Sequence, residues 1–335
     1  MPAEMEKPVR LHRRVNVLVA RVMLSVLMLG VVIGTGAAQD YPTRPLNIVV
    51  PFTAGGPNDV AARLYAEGLR RHLGQPVVIE NRPGAGGVPA IEAMMQGEMD
   101  GYTLLAGGIA PLVLIPPVQK VRYDIEKDFV PLGLLWLSPQ VLAVNPKLNI
   151  KTLAEFIAYA KANPGKLTVG SAGIGTVTHL ANELLKREAS IEFNHVPYRS
   201  TANSLTDLLG GHIDAIFGDV ALLKPHAESG AVNVLAITAT ERSILLPDLK
   251  TTVELGLPGV QTAVWFGAMV SSRAPAAVVQ KLKETTLAVQ KDPDYVAGLA
   301  KYGIKISAVG PDGFAKFLHD EAERWRPIVQ SISSN

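Results

Sequence analysis

Two loops, each leading from an apolar run into a helical pattern, hold the residues best suited to chemistry. In the first, Pro51-Phe52-Thr53-Ala54-Gly55-Gly56-Pro57-Asn58-Asp59, the two glycines let backbone approach a ligand without Cβ obstruction. The helix start that follows would point free amides outward, with a dipole equivalent to roughly half a positive charge. Such an end favours a carboxylate or phosphate without any Lys or Arg. The same residues also suit a plain tight turn capped by Asn58 or Asp59. The second loop, Val169-Gly170-Ser171-Ala172-Gly173-Ile174-Gly175-Thr176-Val177-Thr178-His179, adds neutral hydroxyl donors to the small residues. Facing loops of this kind suit the two ends of a small anion. The alternative is a flexible connection with Thr176 as cap and His179 one turn inside the helix.

Other chemistries find less support. Ser171, His179 and Asp219 have the residue types of a nucleophile, base and orienting acid, yet Val169 stands where a nucleophile elbow needs glycine. The lysine of a phosphate-binding GxxxxGK[ST] loop is missing, and neither HExxH nor a His/carboxylate cluster suggests a metal. The histidines at 72, 179, 195, 212, 226 and 319 read as surface or packing residues. Tyr198 follows the apolar run Phe193 to Val196, where a phenol can reach a cleft, whereas Arg199 reads as a surface charge. Asp219 suits either a hydrogen bond from a ligand amine or hydroxyl, or a helix cap. Trp265-Phe266 suits an inter-lobe core, with an aromatic cleft wall as the alternative.

These residues need an α/β scaffold. Leu46 to Val50 reads as a buried strand, Ala61, Leu64, Tyr65, Gly68 and Leu69 as one helical face stopped by Gly74, and Val77 to Glu80 as a second strand. Two strands flanking such a helix make a right-handed βαβ unit and a parallel sheet. A helix over 88–96 and strands over 102–106, 130–137 and 141–144 extend the lobe. Beyond Asn145-Pro146, Thr152 and Glu155 form a capping box, and Asn163-Pro164-Gly165 ends that helix. Strands over 167–169, 193–196 and 213–217, separated by helices near 176–186 and 200–209, make a second α/β lobe. A strand over 264–270 and helices from Pro275, placed in a first turn, and near Asp312 close the chain. The expected division is 39–141 for the first part of lobe 1, 142–262 for lobe 2 and 263–335 for a return to lobe 1.

The N-terminus carries Arg10, His12, Arg13 and Arg14 before an apolar run from Val22 to Ile33 that ends in Gly36-Ala37-Ala38. This is the pattern of a secretory signal peptide over 1–38, cleaved near Ala38, too short for comfortable spanning. The chain has 32 Lys and Arg against 30 Asp and Glu; the signal holds five and two of these, leaving 27 against 28 and a net charge of −1. That balance offers no electrostatic footprint for nucleic acid. With no cysteine, disulfides, thiolate metal sites and a cysteine nucleophile are excluded. About 300 mature residues suit two domains of ordinary size.

In ordered series the sequence resembles the Bug family, the extracytoplasmic substrate-binding proteins of tripartite tricarboxylate transporters. The likeness runs through Tyr41-Pro42 with Pro45, Pro51-Phe52 with Gly55-Gly56 and Asp59, and Glu80-Asn81-Arg82-Pro83-Gly84-Ala85-Gly86-Gly87. It continues through Asp100 to Leu105, Gly170-Ser171-Ala172-Gly173 with Gly175 and His179, His195-Val196-Pro197-Tyr198, Leu208-Leu209-Gly210-Gly211, Ile213-Asp214 and Trp265-Phe266-Gly267. The resemblance implies a type II periplasmic binding protein fold, a monomer whose two α/β lobes close on a solute. It implies a periplasmic location, transporter subunits in the membrane as partners, no catalytic residue, no metal and no cofactor. Carried over by position, the ligand contacts are Phe52, Thr53, Ala54, Gly55, Gly56, Asn58, Asp59 and Gly108 from lobe 1. From lobe 2 they are Ser171, Gly173, Gly175, Thr176, His179, Tyr198 and Asp219, with the stretch 80–87 as a structural loop. The chain departs from the family pattern at Ser200, at Val88-Pro89 and at Gly107-Gly108-Ile109-Ala110, where a Thr- or Ser-bearing stretch is usual. The last departure removes hydroxyl donors and implies an aromatic or short-chain carboxylate over citrate. A sensor for a membrane kinase, and a cleft hydrolase, are the alternative functions.

Overall fold

The computed structural model describes residues 41–302, 304 and 309–333; the expected signal peptide and its cleavage point lie outside them. Tyr41-Pro42 is a cis peptide. The unit from Arg44 onward opens with the expected βαβ: β1 (Leu46–Val50), α1 (Pro57–Leu73) and β2 (Val77–Asn81), the two strands paired in parallel. Gly74 ends α1 in the left-handed conformation, its N–H returned to Arg70. Next come a turn over Ala85–Gly87, α2 (Val88–Met95), β3 (Thr103–Gly108) and a wide helical turn over Ala110–Leu114. β3 lies parallel to β1 on the side away from β2.

Where two strands are expected over 130–137 and 141–144, a single strand, β4 (Phe129–Val144), runs through. It continues because its neighbours change. Phe129 to Pro139 pair with β9 (Ala263–Ser271), while Gln140 to Val144 pair with β7 (Ala215–Asp219). Pro139, which cannot donate to a ladder, sits at the exchange, and Pro131 sits at a register shift. From β4 the chain passes through α3 (Leu153–Ala162), whose Thr152–Glu155 capping box is present as expected. β5 (Thr168–Ser171), α4 (Val177–Ala189), β6 (Asn194–Pro197) and α5 (Thr201–Gly210) follow, then β7 and α6 (Val220–Glu228). The three strands start one or two residues later than the apolar runs suggest. β8 (Asn233–Ile237) and α8 (Pro293–Ala300) are not anticipated by the sequence pattern, whereas α6 follows Asp219 as the helix-cap alternative implies, although the Asp219 side chain makes no cap bond. α7 (Ala276–Lys291) has Pro275 at its cap rather than in its first turn, and α9 (Pro311–Ser333) closes the described chain.

Among the described residues the strands form one curled sheet in the order β2-β1-β3-β9-β4-β7-β5-β6, with β8 also on β4. Two α/β lobes result, and β4 belongs to the sheets of both. α1 packs on α7 closely enough that a Cβ at Gly68 would overlap Val289, and Tyr65 Oη lies 2.6 Å from Thr286 Oγ1. Trp265 is buried against Phe314 and Phe317, and Glu321 accepts from the indoles of both Trp265 (2.9 Å) and Trp325 (3.0 Å).

Candidate ligand-binding site

The parallel strands of both lobes deliver their loops to one cavity of about 530 Å³, a size suited to a small ligand. The first lobe contributes Phe52, Gly86, Ile109, Ala110, Leu114, Ile115 and Val118. The second contributes Ala172, Ile174 to Thr178, Leu180, Thr201 and Asp219. Gln140, Val264 and Phe266 come from the crossing strands, and Val329 from α9. Of the residues carried over by position, Phe52, Gly175, Thr176 and Asp219 line the cavity. Thr53, Ala54, Gly55, Gly56, Asn58, Asp59, Gly108, Ser171, Gly173, His179 and Tyr198 are not among its lining residues.

Asp59 organises the first loop. Neither Asn58 nor Asp59 caps α1; Gly56 takes that position with Pro57 after it, and no side chain caps the helix. The Asp59 carboxylate instead accepts from Gly55 N–H (2.9 Å), Asn81 Nδ2 (3.0 Å) and Arg63 Nε (2.8 Å). Burial pushes its carboxyl up, but these bonds outweigh that and hold it below the usual range. Asn81 also donates to Phe52 O (3.2 Å), which fixes the chain just where Phe52 turns to the cavity. Phe52 and Phe266 then form an aromatic wall, ring centroids 5.8 Å apart. Gly108 stands behind this wall, where a Cβ would come within 2.9 Å of Phe266 and 3.2 Å of Phe52. The Trp-Phe pair therefore divides its roles, Trp265 in the core and Phe266 on the cavity.

The second loop is held by its own side chains. Thr176 caps α4 and donates to Gly173 O (2.6 Å), Ala172 N–H donates to Thr178 Oγ1 (2.8 Å), and Gly175 N–H donates to His179 Nδ1 (3.1 Å). Gly173 has φ +119°, and a Cβ there would approach Tyr198 O. The Tyr198 hydroxyl donates to Asp207 (2.7 Å), and burial with that carboxylate pushes it up to about 12. Ser171, fully buried, is 2.6 Å from His195 Nε2 and not engaged with His179. The two imidazoles stack, centroids 4.3 Å apart. Burial lowers both, and the neighbouring His179 helps push His195 down to about 4. The parts of a hydrolytic triad are thus distributed: His179 serves the loop, Ser171 serves His195, and Asp219 accepts from Gln140 Nε2 (3.2 Å) and Ser138. Burial raises the Asp219 carboxyl against those two bonds.

Sequence reasoning missed Gln140, Thr201, Gly86 and the apolar residues Leu114, Ile115 and Val118, whereas Thr178 lies in the second loop and Ile109-Ala110 in the stretch expected to be the less polar end. Gln140, 1% exposed inside an apolar strand, is the one that carried a usable signal, a polar side chain amid a buried run.

A curled sheet in this order, with an inter-lobe cavity built from strand-end loops, defines a two-lobed solute-binding protein of the type II periplasmic binding fold. Residues 61–334 match TctC, the tripartite tricarboxylate transporter family receptor, and the chain belongs to that family. It is 33% identical to the protein BugT of Bordetella pertussis over 89% of this chain and 92% of that one. Its structure is similar to that of MatC from Rhodopseudomonas palustris with bound malate, at 31% identity and TM-score 0.72 over 86% of this chain and 100% of the other. A second R. palustris protein, with adipate, is similar at 32% identity and TM-score 0.75 over 88% and 98%.

Proposed function

We propose that this protein captures a small carboxylate-bearing solute in the periplasm and presents it to the membrane subunits of a tripartite tricarboxylate-type transporter. The observation that carries this reading is the composition of the cavity wall. One side is apolar, while the N-terminal residues of α4, α5 and α6 form another, and no Lys, Arg or His is among the lining residues. Such ends supply backbone donors and partial positive charge, enough to hold an anion without a side-chain cation. Relatives seen with malate and adipate support the ligand class.

In this reading the protein acts as a monomer without catalytic turnover, exported with cleavage near Ala38. The lobes divide as 39–141 with 263–335 against 142–262. Ligand contacts made only on closure favour the closed form. The loop backbone from Phe52 to Ala54, with Gly56 and Ser171, faces the solute once the lobes close, while the Gly55, Gly173 and Gly175 amides are held by Asp59, Ser171 and His179 and keep the two loops in shape. Asn58, Asp59, Gly108, His179 and Tyr198 hold those loops and walls in place. Ile109 and Ala110, with Ile115, give the apolar end that favours an aromatic or short-chain acid over citrate.

The test is a thermal-shift screen of the mature protein against malate, adipate, benzoate, citrate and amino acids. A binder at one hundred times its Kd adds about 2.7 kcal/mol, a rise on the order of 5 °C for a chain of this size. Citrate stabilising the protein with no response to benzoate would overturn the preference; no response to any acid would overturn the carboxylate reading.

A further inference from the structure

Among the described residues Asp219 is the one ionisable residue lining the cavity, and none of the groups acting on its carboxyl is cationic. β4 presents Ser138 and Gln140 to it, both neutral, and α4 and α5 present Thr176, Thr178 and Thr201 to the same cavity. On α6 the first cation is Lys224, which pairs with Glu228. His179 and His195 are engaged with Gly175 and Ser171. Asp219 occupies the cap position of α6 yet makes no cap bond, so its carboxyl is turned to the β4 side chains and the cavity rather than to its own helix.

A carboxylate solute entering this space meets a second carboxyl group without an intervening cation. Two ionised carboxylates in one desolvated site repel, and the group with the higher pKa takes up a proton. A protonated Asp219 becomes an O–H donor. We propose that Asp219 recognises the solute as a neutral acid, donating its proton to the bound carboxylate, so that each capture takes up a proton from solvent. Burial already raises the free carboxyl in the same direction. The inference rests on the carboxylate reading above and adds to it a selection rule: an anion that accepts a hydrogen bond is favoured over a solute presenting an ammonium.

Titration calorimetry with malate, adipate and benzoate, in phosphate and in Tris between pH 6.5 and 8.5, reads this directly. The two histidines stay neutral over that range, since both are lowered. For any of the three acids that binds, the buffer dependence of the heat should give a net proton uptake approaching one, with affinity falling by up to tenfold per pH unit. Asp219→Asn keeps a donor that cannot be titrated away. It should bind the same acid more tightly than the wild type at pH 8.5, with no pH slope and no proton uptake. Binding by the wild type without proton uptake, or loss of binding in Asp219→Asn at every pH, overturns the proposal alone. Failure of these three acids and of citrate alike overturns the carboxylate reading and this inference with it. The wild-type proton count stands even if the variant fails to fold.

Discussion

Gly107 and Gly108 of β3 stand opposite Gly267 and Phe266 of β9, so two glycines near one another meet aromatic rings in different surroundings. A methyl at Gly108 would come within 2.9 and 3.1 Å of Phe266 and 3.2 Å of Phe52. Ordinary carbon contacts lie at about 3.5–4.0 Å, so the rings must retreat by roughly 0.7 Å, and the cavity gives them room. Gly108→Ala should therefore sit at the low end of overpacking, about 1 kcal/mol, while the displaced wall lowers affinity for a bound acid about tenfold, or 1.4 kcal/mol. At Gly267 the same methyl would overlap the ring of Phe314. That ring is fully buried, 6.0 Å from Trp265 and 6.3 Å from Phe317, and does not line the ligand cavity. Gly267→Ala should cost about 3 kcal/mol, the upper end for overpacking. Urea denaturation midpoints for both variants, with calorimetric titration of the acid found by screening, separate the cases. If Gly267→Ala costs no more than Gly108→Ala, or if Gly108→Ala leaves affinity untouched, the assignment of one face to the core and the other to the cavity is wrong.

His195 is depressed to about 4, so between that value and the ordinary 6.5 the unfolded chain binds more protons than the folded one. Stability should be full above pH 6.5 and fall as pH drops towards 4; urea midpoints at pH 7 and 4.5 should differ less in His195→Gln than in the wild type. Asp59→Ala strips a partner from Gly55, Asn81 and Arg63, and should cost about 2 kcal/mol with a matching loss of affinity; Asp59→Asn should recover part of the stability. Ala110→Ser places a hydroxyl in the apolar wall and should shift preference from benzoate towards malate by a few-fold in competition calorimetry.

The elements that a one-dimensional pattern specifies were legible. Apolar runs, the Gly74 stop and the Thr152–Glu155 box identify β1, α1, β2 and α3 because each depends on neighbours within a few residues. The sequence pattern suggests two strands for β4 because Ser138-Pro139-Gln140 breaks the apolar run; the exchange of β9 for β7 makes a proline tolerable there. The Ser171–His195 pair is set by the parallel register of β5 on β6, with Val169 opposite His195 and Ser171 opposite Pro197, a relation that sequence spacing does not carry. The two loops were found from their glycines. Which residues face the cavity depends on how the chain turns within each loop: Asp59 is drawn inward by Gly55, Asn81 and Arg63, while Gly86, in a stretch read as structural, reaches the wall.

The antiparallel pairing of β4 with β9 persists to Ser138–Val264 and Pro139–Ala263, where β4 passes from one set of partners to the other. The link between the lobes is thus a hydrogen-bonded ribbon, and a ribbon is compliant to bending out of its own plane but stiff to shear within it. In the closure proposed above, such a ribbon acts as a flexure with essentially one degree of freedom. A rigid solute need only arrest a single angular coordinate, so little orientational entropy is surrendered when the jaws meet. A substitution that unzips Pro139 from Ala263 would let the jaws slide as well as swing, blunting recognition without touching any residue in the cleft.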